Sequence, residues 1–294
     1  IRALAKHPKS FVSKYDLNSL KVLGTVGEPI NEEAWNWYNE VVGKKSCPIV
    51  DTWWQTETGG IMISSIAGVT DQKPTFATKP MIGIQPVLLD NDGQEISDSN
   101  TNGILAIKYP WPSIARTIYG DRERYKKVYF TAYPGYYFPG DGAFRDDDEN
   151  YRITGRVDDV VIVSGHNLGT APIEDAINLH ENVVESALVV FPHDVKGNAL
   201  YAFVILKDDS KTENINTEIN DLISKTIGPI AKPDKVQIVP GLPKTRSGKI
   251  MRRILRKIAC GEKNNFGDIS TLLNPEIVEL IVKGYWINIY NVEY

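Results

Sequence analysis

Residues 51–60 carry the densest chemistry in the chain: Asp51-Thr52-Trp53-Trp54-Gln55-Thr56-Glu57-Thr58-Gly59-Gly60. The tryptophans offer aromatic walls, the threonines and Gln55 hydrogen-bonding groups, Glu57 a carboxylate, and the glycines close backbone approach. A core tryptophan pair followed by a polar turn is the plainer alternative. Asp141 stands between Gly140 and Gly142, after the aromatic run Tyr136-Tyr137-Phe138. A carboxylate so exposed can accept from two adjacent hydroxyls, which suits a ribose diol, although Gly-Asp-Gly triplets are commonly simple turns. In Gly155-Arg156-Val157-Asp158-Asp159 a glycine, a cation and two short carboxylates separate a charged stretch from an apolar run. That pattern reads as a hinge beside a ligand or as a polar turn, and the planar fork of Arg156 suits ribose and phosphate oxygens. Finally, Lys244-Thr245-Arg246-Ser247-Gly248-Lys249-Ile250 has the look of a phosphate-binding loop. The spacing from Gly241 to Gly248 is too long for one, and Ile250 replaces the required Ser or Thr.

The elements that must hold these residues can be read from periodicity. Residues 21–26 alternate and are β-branched, which predicts a strand. Gly27-Glu28-Pro29 turns the chain into a helix with Asn31 as N-cap, Glu32 and Glu33 at its positive end, and Gly43 as its stop. Ala34, Trp37, Tyr38, Val41 and Val42 form the expected apolar face. Residues 48–50 make a short buried strand, completing a βαβ unit whose ligand would sit beyond the carboxyl ends of the strands. Residues 86–90 and 104–108 are further strands, and Asn91-Asp92-Gly93 is a hairpin turn. The acidic run Asp146-Asp147-Asp148-Glu149 reads as a solvated hairpin tip rather than a metal site. Past the hinge, strands at 187–191, 201–206 and 236–239 alternate with helices near 173–179 and 219–227. The helix after the Lys249 loop puts Ile250, Ile254, Leu255 and Ile258 on one face and Arg252, Arg253, Arg256 and Lys257 elsewhere, so its basic surface is expected to face solvent or a neighbouring domain.

Composition narrows the class. The 294 residues are 42% apolar and 24% charged, with a net charge of -4 and a pI near 5.7. That length fits about two domains, and the acidic balance argues against a nucleic-acid binder. Cys47 and Cys260 form no CxxC pair, and His7, His166, His180 and His193 are scattered, so no zinc spacing and no disulfide framework is present. A reducing, cytoplasmic setting is expected, without a membrane span. Ile1-Arg2-Ala3-Leu4 reads as the interior of an element cut from a longer chain.

Together with Val26-Gly27-Glu28-Pro29-Ile30, the 51–60 segment resembles the acetyl-CoA synthetases of the adenylate-forming superfamily. The resemblance runs from about Ser19 to Pro275, with its motifs in order. It implies an α/β and α+β protein: the C-terminal portion of a large adenylation domain (1–157, a βαβ unit plus a β-rich subdomain), a small mobile α+β domain (158–262) and a C-terminal tail (263–294). It further implies that Gly27, Glu28, Pro29, Asp51, Thr52 and Trp53 enclose adenine, with Gln55 beside them, and that Thr56 bonds phosphate. Glu57 would ligate Mg2+, a hard cation that prefers oxygen. Val26 and Trp54 would wall a pocket for a two- or three-carbon acid. Asp141 and Arg156 would hold the ribose and phosphate side, Asp158 would be the hinge, and Ser164, Gly165 and Ser224 would lie along coenzyme A. Lys249 would be the catalytic lysine, neutralising charge as the acyl oxygen attacks phosphorus.

Two departures bear on activity. The acetyl-CoA synthetases carry an arginine at the position of Asn167 and another at that of Ser224, so weaker grip on triphosphate and on coenzyme A is expected. A Thr/Ser-Gly-rich phosphate loop of the family type is not found in the sequence and is expected upstream of Ile1, which would make this chain alone a poor catalyst. The implied function is an AMP-forming acetate–CoA ligase using ATP, Mg2+ and coenzyme A. A propionate or other short-chain acyl-CoA ligase shares every motif, and a catalytically dead relative or a non-enzymatic module binding through residues 244–257 remain as alternatives. Acid profiling would separate the first, and salt-sensitive polyanion binding the last. Acetylation of Lys249 would remove its charge and make acetylating and deacetylating enzymes its partners. Normal adenylation by a Lys249→Gln variant would contradict that idea.

Overall fold

A computed structural model describes the chain except residues 6, 158–160, 164–165, 194–196, 208–213, 247 and 291–294. The expected hinge Asp158 and the expected coenzyme A contacts Ser164 and Gly165 therefore lie outside the described residues. The chain divides into two units, Ile1–Asp158 and Asp159–Tyr294. Among the described residues no helix is long and apolar enough to cross a membrane.

In the first unit, short helices α1 (Arg2–Ala5) and α2 (Ser10–Ser13) precede β1 (Leu23–Thr25), α3 (Glu32–Trp37) and β2 (Ile49–Trp53). β1 and β2 are parallel, with Thr25 opposite Asp51, so the intervening helix provides the crossover that parallel strands need. The short β3 (Ile63–Ser64) pairs antiparallel with β2. α3 starts where the side chain of Asn31 accepts the Ala34 N–H, with Glu32 and Glu33 in its first turn. It continues into a π-helical turn over Tyr38–Val42, closed by Gly43 N–H to the Tyr38 carbonyl. The wider turn breaks the 3.6-residue period. Trp35 is buried in the core around Leu23 and Ile49, with Tyr38 and Val42 partly buried against it, whereas the simple period pointed to Trp37.

The β-rich part is an antiparallel sheet in the order β4 (Pro86–Leu89), β5 (Thr101–Ile107), β6 (Asp141–Arg145) and β7 (Tyr151–Arg156), with α4 (Arg122–Phe130) between β5 and β6. The continuous apolar run of β5 is explained by burial on both faces. Leu105 and Ile107 join a core with Trp53, Met62 and Ile63, while Ile104 and Ala106 join Leu89. At the β4 turn the side chain of Asp90 accepts the N–H groups of Asp92 and Gln94, and Gly93 takes φ 79°. The acidic tip between β6 and β7 is built on Asp146, which accepts from Lys73 Nζ at 2.7 Å and from the Asp148 and Asn150 N–H groups. Burial alone would raise its pKa, but the Lys73 and Asn150 hydrogen bonds outweigh that and draw it down to about 2.

The second unit opens with the hairpin β8 (Val161–Val163) and β9 (His166–Leu168), followed by α5 (Thr170–Asn178), β10 (Val183–His193), β11 (Gly197–Leu206), α6 (Ile215–Thr226), β12 (Lys235–Ile238), α7 (Arg252–Ala259) and α8 (Glu276–Tyr290). β10 and β11 are antiparallel and β11 and β12 parallel, α6 making the crossover. Side chains alternate across this sheet, as strand geometry requires. Leu188, Ala202 and Val204 pack with Ile173, Ile177, Ile219 and Ile223, while Val189, Tyr201 and Phe203 pack with Ile254, Leu255 and Ile258.

Part of the stretch expected as a tail packs into the second unit. Phe266, Leu272, Ile277, Val278, Ile281 and Tyr285 belong to that second core, because a sheet apolar on both faces needs a layer on each. The apolar stripe of the basic helix α7 is spent in the same core, which leaves it no free face for a membrane.

Candidate functional site

In the first unit the chemistry converges on Asp141. It opens β6, where a β-bulge between Gly142 and Ala143 shifts the register against β7; bulges re-aim neighbouring side chains. Trp53, at the carboxyl end of β2, donates from Nε1 to Asp141 Oδ2 at 3.1 Å. Gln55 donates from Nε2 to the same oxygen at 3.3 Å and to the Pro139 carbonyl at 2.9 Å. Arg156, at the end of β7, donates from Nη1 to Asp141 Oδ1 at 3.1 Å and to the Pro139 carbonyl at 2.6 Å. Gly140 permits this packing: it has φ 77°, and a methyl group there would collide with the guanidinium. The carboxylate is thus fixed in direction by donors on both of its oxygens.

Glu57 stands on a one-turn 3-10 helix, Thr56–Thr58, directly after Gln55. The turn is locked by the Thr58 hydroxyl, which accepts the Gln55 N–H and donates to the Gly60 carbonyl, and by Trp111 Nε1 and Ser113 Oγ, both donating to the Thr58 carbonyl at 2.8 Å. Tyr129 donates its hydroxyl to Glu57 Oε1 at 2.7 Å. Tyr137 donates to Gln55 Oε1 at 2.8 Å and stacks on Tyr129, so the hydrogen-bonded sets of Glu57 and Asp141 are joined through two packed rings into one framework. Tyr129, the Tyr137 hydroxyl and the Pro139 carbonyl are members that sequence reading missed, while Gly140 stood out as a neighbour of Asp141 and the aromatic run hinted at Tyr137.

Val26 and Trp54 directly follow the adjacent parallel strands β1 and β2 and are 59% and 44% exposed. Gly27 takes φ 99° with open space where a side chain would be. Glu28 is half-buried, Pro29 and Thr56 are exposed, and Thr52 donates to the Thr25 carbonyl, tying the two strand ends together. Asp51 is buried, and burial pushes its carboxyl up to about 7, against one backbone hydrogen bond at Thr52. A carboxyl raised above its unfolded value of 3.8 destabilises the fold progressively as pH rises from about 4 to 7 and by a constant amount above. At one pKa unit per ~1.4 kcal/mol, the full penalty is on the order of 4 kcal/mol. Asp51→Asn is therefore expected to raise the thermal midpoint at pH 8 by several degrees and hardly at pH 4. Equal shifts at both pH values would show that ionisation is not the cause.

The residues fit a magnesium ion shared with a ligand. Glu57 offers hard oxygen, and Tyr129 occupies only one site on Oε1. No group of three or more His, Cys, Asp or Glu that could hold a metal is found among the described residues. An ion held there would take its other ligands from phosphate and water, as Mg2+ commonly does.

In the second unit Lys249 is exposed at the end of a tight loop. The Thr245 N–H bonds the Lys249 carbonyl at 2.8 Å, the Lys249 N–H bonds Thr245 Oγ1, and Gly248 takes φ 88°. The loop base is pinned by Lys244 Nζ to both oxygens of Glu185 at 2.9 and 2.6 Å, and by the Lys244 N–H to Asn274 Oδ1 at 3.2 Å. Next to it, Arg252 Nη2 meets both oxygens of Glu174, whose Oε1 also accepts the Leu188 N–H. Asn167 pairs through β9 with Ile162. Ser224 lies on α6, its hydroxyl oxygen buried without a hydrogen-bond partner.

A parallel βαβ unit ending in this framework, with a second α+β unit carrying an exposed loop lysine, is the organisation of the adenylate-forming ligases. The chain matches the AMP-binding enzyme family over residues 1–119 and the AMP-binding enzyme C-terminal domain over residues 172–249, and it belongs to that family. Within it the chain is similar to acetyl-coenzyme A synthetases. It is 56% identical to acetyl-coenzyme A synthetase 2 of Pseudomonas aeruginosa over 96% of its length and 55% identical to acetyl-coenzyme A synthetase of Syntrophobacter fumaroxidans over 97%. In each case it spans 44% of the relative. The crystal structure of the anthranilate CoA ligase AuaEII with anthranoyl-AMP superposes with a TM-score of 0.74 and 27% identity, covering 86% of this chain and 47% of that one.

Proposed function

We propose that the chain forms part of an AMP-forming acetate–CoA ligase. An acetate oxygen attacks the α-phosphorus of ATP, the bond to pyrophosphate breaks, and acetyl-adenylate forms. The coenzyme A sulfur then attacks the acetyl carbonyl carbon, the thiol proton is lost, and AMP leaves. The observation that carries the reading is the convergence of Trp53, Gln55 and Arg156 on Asp141 in the framework that also holds Glu57. Asp141 takes the ribose hydroxyls and Arg156 the oxygens next to them. Trp53, Gly27, Glu28, Pro29, Asp51 and Thr52 line the adenine, Thr56 meets phosphate, and Val26 and Trp54 exclude acids longer than about three carbons by shape. Bound magnesium supplies charge neutralisation on the pyrophosphate side, and Glu57 is its protein ligand. Lys249 reaches the α-phosphate during the first half-reaction and leaves for the second, with Asp158 as the pivot. Ser164, Gly165 and Ser224 follow the coenzyme A arm. Acetylation of Lys249 would stop the first half-reaction alone.

The test is acetate-dependent exchange of pyrophosphate into ATP, with a panel of short and long carboxylic acids, by this chain and by one extended to the length of its relatives. Acetate-stimulated exchange in either supports the reading. Exchange in neither, or exchange favouring long-chain acids, overturns it.

A further inference from the structure

Tyr129 lies outside every motif discussed so far, yet its hydroxyl is 2.7 Å from Glu57 Oε1. It projects from the last turn of α4, whose end is tied to the segment before Asp141 by the Phe138 N–H bonding the Tyr129 carbonyl at 2.9 Å. Its ring lies parallel to that of Tyr137, centroids 5.3 Å apart and planes within 5°. Tyr137 in turn donates to Gln55, which donates to Asp141. The path from Glu57 to Asp141 therefore runs through two stacked tyrosines and one amide.

We propose that Tyr129 is the positioning residue of the Glu57 carboxylate, fixing it for a divalent cation in a set geometry relative to Asp141. This rests on the reading of Glu57 as the protein ligand of the nucleotide's metal. A glutamate on a one-turn helix has rotamers to lose when it binds a cation, an entropic cost to binding. A donor that holds one oxygen in place removes much of that cost before the ion arrives, and the other oxygen stays open to the ion. The rings of Tyr125 and Tyr137 pack on that of Tyr129, and Phe130 packs edge-on against both of them, which keeps the Tyr129 ring from swinging away.

Phenylalanine at this position keeps the ring and its stacking and removes only the donor. The experiment follows Mn2+ by its paramagnetic signal as it binds the full chain together with a non-hydrolysable ATP analogue. Wild type, Glu57→Gln, Tyr129→Phe and, as a control for loss of a hydroxyl elsewhere, Tyr136→Phe are compared. Outer-sphere partners of metal ligands are typically worth 10–100-fold in affinity. The expected result is a Mn2+ half-saturation about tenfold weaker in Tyr129→Phe, with analogue affinity in the absence of metal unchanged and Tyr136→Phe like wild type. Strong Mn2+ binding by wild type, lost in Glu57→Gln but kept in Tyr129→Phe, would overturn the role of Tyr129 and leave the metal site standing. If wild type retains no Mn2+, or Glu57→Gln retains it fully, the metal reading of Glu57 falls, and the role of Tyr129 falls with it.

Discussion

Replacing Lys249 with alanine is expected to lower acetate-dependent ATP–pyrophosphate exchange by at least about 10²-fold, the scale on which losing one charge-stabilising group slows an acyl or phosphoryl transfer. The same change should leave the thermal midpoint where it was. Lys249 is exposed, and its ammonium makes no ion pair among the described residues. The loop is held by its backbone and by Thr245 rather than by this side chain, and substitutions at such surface positions rarely move stability by more than about 0.5 kcal/mol. An effect on rate without one on stability is what separates a group that meets the transition state from one that builds the loop. Lys249→Arg sharpens the test, because guanidinium keeps the charge but not its compact shape; partial recovery is expected. Exchange that persists in Lys249→Ala at the wild-type rate would remove the lysine from the mechanism, whatever becomes of the nucleotide site.

Local patterning made much of the first unit legible. Alternation located β1, the Asn31 cap and the two glutamates started α3 where they should, and Asn91-Asp92-Gly93 marked a turn that Asp90 does secure. The site residues drawn together around Asp141 come from segments whose chemistry was conspicuous in sequence: Trp53 and Gln55 from one, Arg156 from another. Their tyrosine support was not conspicuous. The Tyr129 and Tyr137 hydroxyls reach residues 72 and 82 positions away, and no local period encodes a contact across such a span. Trp35 was missed for a different reason: two tryptophans lie two residues apart in α3, and the buried face of Ala34, Trp35, Tyr38 and Val42 takes the first of them where the apolar face had been counted through the second. Residues 263–294 were expected as a tail from the domain division that the resemblance implies, and no local pattern shows that Phe266, Leu272, Ile277, Val278, Ile281 and Tyr285 join a core. The demand for them comes from the second face of a sheet that is remote in sequence.

That remote demand also supports the lysine loop, and it leads to a large stability effect. Glu185 is 2% exposed on β10, and Lys244 reaches both its oxygens from the base of the loop. Removing one partner of a buried pair strands the other charge, which typically costs 3–5 kcal/mol. Lys244 itself is partly exposed, so water can follow its removal and about 3 kcal/mol is expected for Lys244→Ala. The double change Lys244→Met with Glu185→Leu should recover most of that loss, because a well-packed apolar pair commonly replaces a buried ion pair at little cost. Urea unfolding of the wild type, both single variants and the double variant forms a closed cycle that isolates the pairwise coupling. A Lys244→Ala variant within about 0.5 kcal/mol of wild type would mean that the carboxylate is already satisfied by its other neighbours and the pair is incidental. The double variant has a second use. It restores stability without the tether, whereas Asn274 still holds the Lys244 N–H. If its exchange activity remains low while its stability returns, the ion pair matters for where Lys249 sits; if both return together, the pair serves the fold alone.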